Sequence, residues 1–154
     1  VANFVFTCSK GRGVEFYYRV KNNDPSTSVL VLVPLSQSGT EAQGKALDTL
    51  ADIEADANFA ERTTGGWVKK VLADADLVAF PAPNDGTGVY EISVPSKTWT
   101  TPTTANNTTG LLVCYDALGT GVAANLIPIS HHDFVVTTDG NDVVLNAGIF
   151  FQAA

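Results

Sequence analysis

The sequence predicts an α+β, β-rich fold, an antiparallel β-sandwich or barrel-like core with one or two short helices in the N-terminal half. Three observations predict it. Short apolar, β-branched segments bounded by Gly, Pro, Asn and Asp recur along the chain, densest beyond residue 81. Only one stretch, 40–57, combines a strong helix start with helical apolar spacing. The 154 residues are 45% hydrophobic and only 16% charged, against roughly 25% charged in ordinary soluble domains. That length fits one domain, 1–154, with residues 1–24 free to act as an N-terminal arm.

The elements follow in order. Residues 3–8 alternate Phe4 and Phe6 with Val5 and Thr7, a strand pattern broken by Lys10-Gly11-Arg12-Gly13. Residues 14–22 are read as a short helix stopped by Asn22-Asn23-Asp24-Pro25. Residues 28–35 form an unbroken apolar run, the mark of a central strand covered on both faces. Thr40 and Gln43 form a capping box. Behind it Ala46, Leu50, Ile53 and Ala57 fall on one helical face, which predicts a single helix to residue 57. A strand is expected at 66–72, a turn at 73–77 and another turn at 81–86. Strands then follow at 89–94, 98–100, 110–116 and 125–129. Residues 134–138 and 142–145 flank Asp139-Gly140-Asn141 and are read as a hairpin, with a last strand at 149–151.

Charge excludes some functions. The net charge is −7, opposed to the clustered Lys and Arg that phosphates demand, so no nucleic acid is expected. No apolar run approaches the ~18 residues of a spanning helix, so no membrane partner is expected. All nine Lys and Arg fall before residue 101, and beyond it only Asp116, Asp133, Asp139 and Asp142 are ionised near neutrality. A long stretch without mixed charge is expected to have part of its surface covered by the rest of the chain or by other copies. Conversely Lys10, Arg12, Arg19 and Lys21 face only Glu15 and Asp24 in the first 24 residues, which makes them candidate contacts for an acidic neighbour. Val1-Ala2-Asn3-Phe4 lacks the basic and apolar regions of a secretory signal, and synthesis in a bacterial cytosol is expected.

Candidate chemistry is sparse. Cys8 and Cys114, 106 positions apart in apolar segments, are read as free buried thiols. His131-His132-Asp133 holds ligand types, but adjacent strand residues point to opposite faces and no further ligands are spaced to join them. Lys10-Gly11-Arg12-Gly13 lacks the ending of a phosphate loop. Asp139-Gly140-Asn141-Asp142 lacks the frame of a calcium loop. Ser130 beside His131 does not by itself create a nucleophile–base geometry, and no Gly-x-Ser-x-Gly occurs. No enzyme, metal or cofactor is expected. Trp67, Trp99 and the tyrosines 17, 18, 90 and 115 offer a sugar platform or, more simply, packing.

Four stretches carry a resemblance: Ala2-Asn3-Phe4; Arg19-Val20-Lys21-Asn22-Asn23-Asp24-Pro25; Lys70-Val71-Leu72-Ala73-Asp74-Ala75-Asp76-Leu77 with Pro81-Ala82-Pro83; and His132-Asp133-Phe134-Val135-Val136-Thr137-Thr138-Asp139-Gly140. In that order they resemble small structural proteins of tailed bacteriophages encoded near the major capsid gene. The resemblance implies a virion component and no site residues. Within that class, the charge pattern favours a capsid cement or decoration protein on the shell surface. Its partners would be the major capsid protein and itself, as a homotrimer bridging capsid subunits. Two alternatives are a tail or head–tail connector component and a host-surface carbohydrate-binding module. A small hydrolase with an unrecognised site is a further one.

Overall fold

The computed structural model describes residues 2–79, 82 and 84–153. Its centre is an antiparallel sheet in the order β1 (Phe4–Val5), β8 (Leu126–Val136), β7 (Thr108–Asp116), β2 (Val29–Gln37) and β3 (Ala60–Glu61), with β4 (Lys70–Leu72) also on β2. Pro34 explains why two short strands share that edge of β2. Its carbonyl accepts from Arg62 N at 2.8 Å, so the side facing β3 and β4 lacks a donor where the two separate.

Strands β2 and β7 are buried on both faces, as the unbroken apolar run in 28–35 predicts. Period-two alternation splits their side chains between two cores. Leu30, Leu32, Leu111, Val113 and Tyr115 join one core. Val31, Val33, Leu35, Leu112 and Cys114 join the other. Over the first face lie α1 (Gly13–Lys21) and two ribbons, β5 (Tyr90–Val94) with β10 (Gly148–Ala153), and β6 (Lys97–Trp99) with β9 (Val143–Leu145). Phe4, Phe6, Phe59 and α3 (Leu50–Ala55) cover the second face. The fold is thus α+β and β-rich with a sandwich-like core, its sheets open and not closed into a barrel.

Three local expectations are corrected. The helix expected through 57 is two short ones, α2 (Glu41–Gly44) and α3, each with its own capping box. At the break, Gly44 lies against the rings of Phe4 and Phe6, where an added Cβ would sit 3.2 and 3.1 Å from them. Thr49 then restarts the helix by accepting from Asp52 N at 3.1 Å, while Asp52 accepts from Thr49 N at 2.9 Å. The strand expected at 3–8 stops at Val5 and becomes a 3-10 turn over Thr7–Ser9.

The hairpin around Asp139 does not form. The end of β8 pairs with β7, and β9 pairs with β6. Thr138 diverts the chain: its N–H donates to Asn107 Oδ1 (3.0 Å), its hydroxyl donates to Thr103 O (2.8 Å), and its own Oγ1 accepts from Asn106 N (3.0 Å). Asp139-Gly140-Asn141 is still a turn, with Gly140 at φ 92°. The Phe residues of the early strand pattern are buried, as are Phe16, Tyr17 and Val20 of α1, so residues 4–21 are part of the packed domain, not an extended arm. Pro81 and Pro83 of the turn expected at 81–86, and of the resemblance, lie outside the described residues, as does Val1.

Candidate functional site

Strand β8 places His131 and His132 on opposite faces, as the strand period requires. His131 is fully buried and stacks on Phe4, with ring centroids 5.0 Å apart and planes at 11°. Neither of its ring nitrogens has a hydrogen-bond partner among the described residues. Burial, reinforced by the nearby His132, pushes its pKa down to about 4, so the ring is neutral at pH 7. Gly110 lies opposite, so close that a side chain there would collide with His131 Nε2 and Ser38 Oγ.

His132 faces the other way. Its Nε2 lies 2.8 Å from Ser130 Oγ. Burial lowers its pKa, opposed by a hydrogen bond with the Phe150 backbone that favours the protonated ring. Ser130 and His132 line a cleft of about 300 Å³ between β1, β8 and β10, walled by Val5, Phe150 and Phe151. Asn3 stands at its edge and accepts the Asp133 backbone N–H on Oδ1 at 2.8 Å. Sequence reasoning weighed Ser130 only beside His131 and set that pair aside, as adjacent strand residues require. The partner is two residues on, because alternate residues share a strand face. That i, i+2 spacing inside an apolar strand was the available signal.

The four basic candidates are not gathered into one free patch. Lys10 pairs with Glu41 at 3.0 Å. Arg12 and Arg19 share Glu15, at 3.2 and 2.8 Å, and Arg12 also lies over the Phe16 ring. The two guanidinium groups hold the Glu15 carboxyl below its ordinary value, Arg19 more than Arg12. Lys21 Nζ donates to the carbonyls of Asp74 and Leu77, at 2.9 and 3.0 Å, and ties α1 to the 3-10 turn over Asp74–Asp76. Each cation thus has a partner within its own chain.

The remaining motifs take structural places. Trp67 and Trp99 are buried against each other, centroids 5.1 Å apart, and donate through Nε1 to Asn106 O (2.7 Å) and Val68 O (2.8 Å). They are core residues and present no face to a sugar, so the two tryptophans take the packing role. Cys8 and Cys114 are free thiols, and burial pushes the Cys114 thiol strongly up. Gly11 and Gly13 serve the entry to α1, where the Phe151 ring lies against Gly13. Asp139 accepts from Asn141 N and Nδ2, and Asp142 from Thr101 N. Among the described residues no three His, Cys, Asp or Glu side chains are grouped to hold a metal ion.

One carboxylate was missed as a structural centre. Asp116 is fully buried and accepts from Leu118 N at 2.9 Å and Gly121 N at 2.8 Å, folding the 117–121 loop around itself. The Asp at the end of an apolar strand followed by Gly-rich sequence was its only trace. No family model matches the sequence, and neither a curated protein nor a solved structure matches the chain.

Proposed function

We propose that this protein is a structural component of a tailed-bacteriophage virion, a cement or decoration protein that binds the outer surface of the major capsid shell and stabilises it. The observation that carries this reading is the surface of residues 101–153. It has no Lys or Arg, yet Leu118, Val122, Val135, Val144 and Ile149 are 47–71% exposed. A surface without cations, carrying only acidic charge and several exposed apolar side chains, is suited to contact with other protein. A stable contact buries roughly 1,200–2,000 Å², and repetition over a shell multiplies a modest gain per copy.

The ion pairs of Lys10, Arg12 and Arg19 favour the C-terminal surface as the primary contact, with the four basic residues in a secondary role. The resemblance to phage structural proteins supplies the identity of the partner. Electron microscopy of particles carrying the protein tests the reading. Copies spread over the shell support decoration, a single ring at the neck or tail supports the connector alternative, and absence from the particle overturns both.

A further inference from the structure

One group of side chains has the geometry of chemistry and no part in the assembly reading. Ser130 and His132 stand on one face of a strand that is hydrogen-bonded to β7 along its length, so their relation is rigid. The 2.8 Å between Oγ and Nε2 is the reach a general base needs on a hydroxyl nucleophile. With Nε2 unprotonated, the imidazole accepts the Ser130 hydroxyl and is placed to take its proton.

We propose that Ser130 and His132 are a nucleophile–base pair and that the cleft between β1, β8 and β10 accepts small uncharged carboxylic esters. The cleft, about 300 Å³, lies at the small end of ligand sites, with apolar walls suited to a short acyl chain. Among the described residues no Lys or Arg lines it, which suits an uncharged substrate. Asn3 stands at the cleft edge with its Oδ1 held by the Asp133 N–H.

As Ser130 Oγ bonds to the ester carbonyl carbon, its proton passes to His132 Nε2. Collapse breaks the bond to the alcohol oxygen, which takes the proton from Nε2. Water then attacks the acyl-serine with the same base, releasing the carboxylic acid and restoring the hydroxyl.

This inference does not depend on a virion location. The test is to treat the full chain with a fluorophosphonate probe and, separately, with p-nitrophenyl acetate. The expected result is one adduct mapped to Ser130, and hydrolysis that falls at least about 100-fold in Ser130→Ala and His132→Gln. The rate should follow an ionisation below the ordinary histidine value. Absence of a Ser130 adduct, or equal hydrolysis by folded Ser130→Ala, would overturn the proposal. The adduct map uses the unaltered chain, so a variant that fails to fold leaves the test decisive.

Discussion

Residues 10–97 carry every lysine and arginine of the chain and residues 101–153 carry none, so the first stretch adds ion pairs to its side-chain bonds with backbone, such as those of Lys21, while the second relies on bonds with backbone. In the first, ion pairs connect neighbours: Lys10 to Glu41, Glu15 to two arginines, Lys69 to Glu54 and Glu61, Lys97 to Asp76. In the second, neutral or acidic side chains bind backbone: Asp116 and Thr138 organise loops, and Thr108 Oγ1 donates to Phe134 O at 2.8 Å. Exposed ion pairs are worth little and weaken with salt. Buried bonds to backbone are costly to lose and indifferent to salt. A surface held by the second means stays ordered when another protein covers it and strips away its ions.

The comparison breaks most visibly in acid. An unfolded imidazole titrates near 6.5 and buried His131 near 4, so between those values the unfolded chain holds more protons. Stability is complete above about pH 6.5 and falls as the pH drops toward 4, by roughly 3 kcal/mol from this one side chain. His132, also lowered by burial, adds in the same sense. The carboxylates held low by hydrogen bonds, Glu15 and Asp76 among them, act in a separate window, below their ordinary values. His131→Phe keeps the stack on Phe4 and should flatten the decline from pH 6.5 to 4 in urea melts. An unchanged slope would show that the imidazole is not the source.

Thr138→Val comes next. It strips the hydroxyl that joins Thr103 O and Asn106 N, and should cost roughly 1–2 kcal/mol. Asn106 N retains a bond to Thr103 O at 3.2 Å, which limits the loss. The cost should be the same in low and high salt; a strong salt dependence would contradict the contrast between the halves. The smallest effect belongs to Arg19→Ala, which removes one of two cations on exposed Glu15. Its change in Tm should be near zero and should vanish in moderate salt.

Fold class, the doubly buried strand at 28–35, the first helix and the Thr40 capping box were legible because each is written in local residue order. The second cap was present too, as Thr49 and Asp52, but continuous apolar spacing across Ala46, Leu50 and Ile53 masked it. The hairpin was misread because Asp-Gly reports a reversal and is silent about which strands pair; that choice rests with Thr138 and the distant Thr103–Asn107 loop. The Ser130–His132 contact was within reach of strand periodicity. The partners of Lys10 and Lys21 were not, since they lie 31 and 53–56 positions away.

The alternation of β2 and β7 between two cores has a mechanical result. Neighbouring residues of one backbone anchor opposite sides of the molecule, so loosening either core disturbs the strands that carry the other. Cooperative unfolding is the expected result, checked by coincident urea transitions in fluorescence and circular dichroism.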